Sequence, residues 1–288
     1  MIGPRLPGPV RRWGQVATLG AGRLTSGGRM LPGLLICGAQ RCGTTSMYRS
    51  LSQHPAVLKP VLHKGVHYFD TGYGHGPRWY AAHFPLRLTA ARAARRTGLR
   101  SVTFESSPYY LFHPLAATRI ASDLPGVKIL VLLRDPVERA YSAHAHELAR
   151  GFETEPFEAA LELEDARVAG EAERLATDPT YLSVSYQHHA YVRRGRYIEQ
   201  LERLERLFGR ERLHVVDSED FFTEPEPVWA GVLDFLGLPW PRLPAFDRHN
   251  ARPRSPMPQS LRRRLDESFL PYDERLAEWW GRTPSWRR

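Results

Sequence analysis

The chain has 288 residues, of which 42% are hydrophobic and 25% are charged, a globular balance that excludes a wholly disordered or collagen-like chain. Its net charge of +9 suits an anionic ligand, a nucleic acid or an acidic surface, and does not choose among them. No apolar run approaches the ~20 residues that cross a bilayer, and the two cysteines, Cys37 and Cys42, lack zinc-ligand neighbours, so we expect a reduced, cytoplasmic protein without a metal site.

The first 30 residues differ in composition from the rest of the chain. Residues 1–30 are rich in glycine and proline, carry five arginines and contain no acid. They also lack the apolar stretch of about 7–15 residues that a secretory signal needs. We therefore predict a disordered basic tail over 1–30, followed by a single domain over 31–288.

From residue 31 onward, short apolar runs alternate with segments of helical periodicity. The predicted strands are 34–37, 101–105, 128–133 and 213–216. The predicted helices are 44–53, 136–149, 155–167, 184–208 and about 258–281. Continuous apolar strands separated by helices indicate a parallel sheet covered on both faces. The predicted fold class is therefore α/β, a P-loop-like three-layer fold with a central parallel sheet flanked by helices, which binds ligands at the carboxyl ends of its strands.

A glycine-containing loop follows the first predicted strand and opens a helix, with the sequence Gly38-Ala39-Gln40-Arg41-Cys42-Gly43-Thr44-Thr45. Backbone N–H groups of such a turn and the positive end of the helix hold an anion, to which Arg41 adds a full charge. A nucleotide-hydrolase P-loop has lysine directly after its second glycine, where this chain has Thr44. The loop therefore predicts phosphate binding but differs from that of a standard ATPase or GTPase.

A second polar motif follows the most apolar predicted strand, with the sequence Arg134-Asp135-Pro136-Val137-Glu138-Arg139-Ala140-Tyr141-Ser142. Asp135 is suited to cap the following helix, and proline suits its first turn. Arg134 lies at the carboxyl end of the strand, and Ser142 comes two helical turns later. Both side chains are candidates for contact with the same anion.

These two motifs resemble those of the sulfotransferases that use 3′-phosphoadenosine 5′-phosphosulfate (PAPS), and the likeness is closer to the heparan-sulfate-type and bacterial branch. The resemblance covers roughly residues 31–257 and includes the segments 64–69 and 104–109. It implies that PAPS is the co-substrate, without a metal. Its sulfuryl group would pass to a hydroxyl or amine of a carbohydrate or small-molecule acceptor.

The resemblance also assigns residues to the two ends of PAPS. The 5′-phosphosulfate falls to the first loop, through Arg41, Cys42, Gly43, Thr44 and Thr45. The 3′-phosphate falls to Arg134 and Ser142, with Arg252 and Arg254 as further candidates from a basic loop late in the chain. Fixed cations of this kind stabilise charge in group transfer, and Arg41 would do so at the bridging oxygen. By contrast, the arginines at 262–264 are expected on a solvated helix face.

The usual general base is missing from its family position. The Lys-Glu-x-His segment of the family here begins Lys64-Gly65, without a carboxylate, and continues to His67. His67 is the favoured base because its imidazole titrates near neutrality; Glu105 is second, and His63 is also open. Lys64 is a weaker candidate for stabilising the departing phosphate.

Two other classes of function stay open. A nucleotide kinase or NTPase would use the first loop, although its cation is misplaced for that chemistry. A nucleic-acid-binding protein would account for the arginine content, but the arginines of 199–212 alternate with glutamates, which indicates a salt-bridged solvent face. We expect neither a nucleic-acid partner nor a transmembrane segment, and no pattern predicts an oligomeric state.

Overall fold

The computed structural model describes residues 18–178, 180–239, 243–244 and 256–288. The strands are β1 (Leu34–Gly38), β2 (Val57–Leu58), β3 (Val102–Ser106), β4 (Lys128–Leu133) and β5 (Leu213–Asp217). The α-helices are α1 (18–24), α2 (Thr44–Leu51), α3 (Pro77–Ala81), α4 (Arg87–Thr97), α5 (Ala116–Asp123), α6 (Pro136–Leu148), α7 (Phe157–Val168), α8 (Glu171–Thr177), α9 (Val184–His188), α10 (Tyr197–Phe208), α11 (Ser218–Thr223), α12 (Pro225–Leu236) and α13 (Gln259–Trp280).

The strands form one parallel sheet in the order β2-β3-β1-β4-β5. Every residue of β1 is buried, and β4 is buried from Ile129 to Leu133. Helices flank the sheet, so β1 and the 129–133 part of β4 are apolar at consecutive residues rather than at alternate ones. The predicted α/β three-layer class is confirmed. Strand β2 escaped prediction because it has only two residues.

The sheet order brings two predicted loops together. Strands β1 and β4 are direct neighbours, with Ile36 paired to Leu130. Beyond the end of β1, the backbone N–H of Ala39 donates to the carbonyl of Leu132 at 2.8 Å. Parallel strands end at the same edge of a sheet, so the loop after β1 and the start of α6 lie side by side.

The predicted helix over 184–208 is wrong in its middle, where the structure has α9, a short 3₁₀ turn at Arg193–Gly195, and then α10. Glu164 of α7 accepts hydrogen bonds from the backbone N–H groups of Val192 and Arg193, at 2.7 and 2.9 Å. These N–H groups therefore have a partner outside the helix, and the continuous helical ladder is interrupted.

The structure also corrects the predicted tail. Residues 18–30 form α1 and a 3₁₀ turn at Ser26–Gly28 instead of a disordered segment. A Cβ at Gly22 would lie 2.8 Å from that of Ala82, and Met30 N–H donates to the carbonyl of Pro85 at 2.9 Å. This stretch therefore packs on the domain, while 1–17 lie outside the described residues. Within the described chain, no helix has the length and apolarity needed to span a membrane.

Candidate active site

The loop between β1 and α2 turns sharply before the helix begins. Arg41 and Gly43 both have left-handed backbone, with φ of 72° and 82°. A Cβ at Gly43 would lie 3.2 Å from the ring of Phe222, which together with the positive φ favours glycine there. Among the described residues, Arg41 and His67 are the two non-glycine positions with positive φ, a conformation that clusters at functional sites.

Side chains from the two predicted loops meet directly. The Nε of Arg41 donates to the Oγ of Ser142 at 3.0 Å, across 101 positions of sequence. The hydroxyl of Tyr197 donates to the carbonyl of Arg134 at 2.8 Å and lies 3.7 Å from the sulfur of Cys42. The first loop and the start of α6 therefore form one continuous polar surface, as the predicted sheet requires.

Lys64 joins this surface from a third segment. Its Nζ donates to the Oγ1 of Thr44 at 3.2 Å and to the Oγ1 of Thr45 at 3.0 Å. Burial, with a smaller contribution from the charge of Arg49, lowers the pKa of Lys64 to about 8. Within the described chain no carboxylate forms an ion pair with this ammonium, so a bound anion would stabilise its charged form.

His67 is held by a carboxylate three residues later. Its Nδ1 lies 2.8 Å from the Oδ2 of Asp70, and the histidine side chain keeps 45% of its surface exposed. Burial alone would lower the pKa of His67, but the hydrogen bond and charge of Asp70 outweigh it and the net pKa is raised above the usual value. Since the carboxylate accepts the Nδ1 proton, Nε2 is left with the lone pair that a general base needs.

Glu105, the second candidate base, lies in the core. Its carboxylate is fully buried and accepts hydrogen bonds from the Val66 N–H and the Ser107 Oγ at 2.7 Å, and from the hydroxyls of Tyr80 and Tyr110 at 2.9 Å. Burial raises its pKa, against the opposing effect of these donors. With both oxygens occupied inside the core, Glu105 holds the 64–67 segment in place, and the structure argues against it as the base.

Glycine at position 65 follows from the same packing. A Cβ on Gly65 would lie 2.5 Å from the carbonyl oxygen of Ser106 and 3.0 Å from the Oγ of Ser107. The backbone of this segment therefore lies directly against the end of β3. A side chain at 65 would require the backbone to move.

A buried polar network fixes the first loop from behind. Gln40 donates through Nε2 to Glu147 at 3.2 Å and accepts from Nη1 of Arg194 at 2.6 Å. The other oxygen of Glu147 lies 2.9 Å from Nδ1 of His188. Burial alone would raise the pKa of Glu147. The hydrogen bond with His188, together with the charges of His188 and Arg150, outweighs burial, so the pKa of Glu147 is lowered. The network ties the loop to α6 and α9 and was not apparent from sequence.

Arg134 and its neighbours form an ion-pair chain at the start of α6. Arg134 lies 3.5 Å from Glu138, and Arg262 of α13 lies 2.8 Å from Glu138 and 2.6 Å from Asp135. Arg262 is thus ion-paired with 39% of its side chain exposed, while Arg263 and Arg264 are exposed as predicted. The pKa of Arg262 is raised, because the attraction of these acids outweighs burial. Arg262 partly neutralises Glu138 and leaves more of the Arg134 charge for an anion.

The remaining predicted residues are Cys42, His63, Arg252 and Arg254. The Cys42 side chain is buried. The backbone N–H of Cys42 donates to the Ala39 carbonyl at 3.2 Å, and the backbone carbonyl of Cys42 accepts from the Ser218 hydroxyl. Cys42 therefore shapes the loop, and its N–H already has a partner within the loop. His63 is exposed. Arg252 and Arg254 lie outside the described residues. Asp70 escaped prediction, although the His-x-x-Asp spacing was a usable signal.

Comparison with known proteins agrees with this geometry. The profile of the family described as "Sulfotransferase domain" matches residues 31–249. The chain is 27% identical over 283 residues to the human heparan sulfate glucosamine 3-O-sulfotransferase 5, covering 90% of this chain and 75% of that protein. It is 28% identical over 267 residues to the Caenorhabditis elegans bifunctional heparan sulfate N-deacetylase/N-sulfotransferase 1, covering 84% of this chain and 28% of that protein. A crystal structure of a sulfotransferase from Alicyclobacillus acidocaldarius is similar, with a TM-score of 0.65, 30% identity, and coverage of 90% of this chain and all of that one.

Proposed function

The chain belongs to the sulfotransferase family and is a PAPS-dependent transferase, and on that premise we propose that it holds PAPS between the loop after β1 and the start of α6. One observation carries this proposal: Arg41 and Ser142, predicted to bind opposite ends of the donor, lie within hydrogen-bond distance of each other. A single nucleotide can therefore contact both loops.

The residues at this place fit a donor with two anionic ends. Arg41, Lys64 and the hydroxyls of Thr44 and Thr45 surround the loop where the 5′-phosphosulfate would bind. Arg134, a third of its side chain exposed, is available to the 3′-phosphate. Arginine and lysine supply fixed charge and donors where the oxygens of a loose transition state become more negative, and this accounts for much of the catalysis.

In the proposed reaction, His67 takes the acceptor proton on Nε2 while Asp70 holds the imidazole through Nδ1. The acceptor oxygen or nitrogen forms a bond to sulfur as the bond from sulfur to the bridging phosphate oxygen breaks. Arg41 and Lys64 stabilise the negative charge on that departing oxygen. The products are the sulfated acceptor, adenosine 3′,5′-bisphosphate, and a proton on His67 that passes to solvent.

We propose a carbohydrate hydroxyl or amine as the first acceptor to test. Two of the similar proteins are named for sulfation of heparan sulfate, one at a glucosamine 3-O position and one at nitrogen. The exposure of the His67 side chain is compatible with a large acceptor that approaches from solvent.

A thermal-shift titration tests the donor site without knowledge of the acceptor. Adenosine 3′,5′-bisphosphate is expected to stabilise the protein strongly, while ATP with magnesium and duplex DNA are not. Stabilisation by ATP–magnesium without the bisphosphate would favour a kinase or NTPase and contradict the proposal. Labelled PAPS, offered with heparan sulfate fragments and with small hydroxyl compounds, then identifies the acceptor class.

A further inference from the structure

The charge of this chain is divided sharply along its length. Residues 1–104 contain 15 basic residues and a single acid, Asp70, whereas residues 105–288 contain 25 basic and 30 acidic residues. The first part therefore has a net charge of +14 and the second a net charge of −5. Asp70 is itself buried against His67. The surface formed by the first part is thus almost free of negative charge.

Part of this basic surface is a continuous face made by α1, the turn after it and α4. Arg29 pairs with Leu86 through an isolated backbone bridge and donates through Nη1 to the carbonyl of Phe84 at 2.6 Å. The Nε of Arg87, the first residue of α4, donates to the carbonyl of Arg29 at 3.2 Å. These contacts place Arg29, which follows α1 and its 3₁₀ turn, beside the start of α4.

Helix α4 packs only shallowly on the domain. It has no fully buried residue, and its half-buried positions Ala90, Ala93, Ala94 and Thr97 lie on one face. The opposite, outward face carries Leu88, Arg92 and Arg95 at helical spacing. We call the exposed set here the α1–α4 face; its members are Arg23, Leu24, Leu86, Arg87, Leu88, Arg92 and Arg95.

Large apolar side chains stand among the cations of the α1–α4 face. Leu24 is 91% exposed and Leu88 is 60% exposed. Within the described chain, no acidic side chain forms an ion pair with the arginines of this face. An arginine-rich surface with unburied leucines is typical of helices that lie in the interface of an anionic bilayer, where cations meet headgroups and leucines reach the acyl chains.

We propose that the α1–α4 face docks the protein on the surface of a membrane that contains anionic lipids. A soluble polyanion would be attracted by the arginines but would leave Leu24 and Leu88 in water, so the leucines favour lipid. The face does not depend on the donor site.

Co-sedimentation of the full chain with vesicles tests this proposal. Binding is expected to vesicles of equal parts phosphatidylglycerol and phosphatidylcholine, to weaken with added salt, and to be negligible with phosphatidylcholine alone. The double variant Arg92→Gln/Arg95→Gln should bind roughly 30-fold more weakly. The double variant Leu24→Ser/Leu88→Ser should bind these vesicles at least about tenfold more weakly.

Matched controls use exposed residues of the same types elsewhere on the molecule. Arg206→Gln/Arg263→Gln removes two exposed arginines of α10 and α13, and Leu207→Ser removes an exposed leucine. Both should bind vesicles like the wild type. All variants should keep their affinity for adenosine 3′,5′-bisphosphate, so failure of docking is separable from failure of the donor site.

Two results would overturn the assignment. Absence of binding to the anionic vesicles would exclude a membrane role for this face. If heparin instead competes fully and the Leu24→Ser/Leu88→Ser variant binds vesicles normally, the face is a polyanion site.

Insertion of the face into the bilayer can also be measured directly, because Cys37 and Cys42 are buried and a fluorophore attached to Leu88→Cys reports its own surroundings. Its emission should shift to the blue on vesicles.

Discussion

Replacing Asp70 by asparagine should impair the candidate base while leaving the fold of its segment in place. The Oδ1 of Asp70 accepts from the backbone N–H of Thr71 at 2.5 Å, a contact that an asparagine oxygen can keep. The amide nitrogen then faces Nδ1 of His67, where the carboxylate oxygen lay at 2.8 Å. Because that nitrogen donates instead of accepting, Nδ1 must become the acceptor and Nε2 carries the proton.

The expected loss follows from this exchange. A hydrogen bond to a charged group contributes about 1.5–3 kcal/mol, which corresponds to roughly 10- to 150-fold in kcat. The pH profile should change as well. Asp70 raises the pKa of His67, so wild-type activity should fall as the pH drops through that raised pKa. In Asp70→Asn the acid limb should move to lower pH, since burial alone lowers the pKa.

Initial rates of labelled sulfate transfer from PAPS, measured across pH, give both quantities. Thr71→Val is the control, because it removes the 3.2 Å contact of the Thr71 hydroxyl with Asp70 and keeps the carboxylate beside His67. It should stay within about twofold of wild type. The reasoning would be refuted if Asp70→Asn kept its kcat and its acid limb, or if both variants lost activity equally.

Three further predictions concern the loops. Lys64, with a pKa of about 8, should lose its charge at alkaline pH. Calorimetry should therefore show the wild-type affinity for adenosine 3′,5′-bisphosphate falling between pH 7 and 9, and Lys64→Met should abolish this pH dependence. The same pH dependence in Lys64→Met as in the wild type would contradict the prediction. Arg41→Ala should abolish transfer in the labelled-PAPS assay while calorimetry still detects the bisphosphate, and activity within twofold of wild type would exclude its catalytic role. Gly65→Ala should lower the free energy of unfolding by about 1–3 kcal/mol, because its Cβ would meet the Ser106 carbonyl. Gly74→Ala, whose Cβ would stand in open space, should stay within about 0.5 kcal/mol of the wild type. Equal stability of the two variants in thermal melts would refute the packing argument.

The sheet and the meeting of its loops were predictable because their signals are local. The predicted strands at 34–37 and 128–133 are continuous apolar runs, and the polar motifs begin where those runs end. Once the strands are parallel neighbours, Arg41 and Ser142 must come to the same edge. The catalytic and donor-binding roles of these residues stay predictions, as does the cytoplasmic location.

Other features depend on contacts that sequence spacing does not reveal. Lys64 reaches Thr44 only because the segment 64–67 crosses the end of β3. Glu105 holds that segment from inside the core by accepting a hydrogen bond from the Val66 N–H. The break before α10 depends on Glu164, a residue of another helix. Arg262 looked like part of a solvated basic run, but α13 packs along α6 and brings it to acids.

The most direct test of a donor held between two loops is the preference for a 3′-phosphate. Calorimetry would compare adenosine 3′,5′-bisphosphate with adenosine 5′-phosphate in the wild type, Arg134→Ala and Arg41→Ala. In the wild type and in Arg41→Ala, the bisphosphate should bind at least about tenfold more tightly than adenosine 5′-phosphate. This preference for the bisphosphate should nearly vanish in Arg134→Ala. An Arg134→Ala protein that keeps the full preference would place the 3′-phosphate elsewhere and contradict the account.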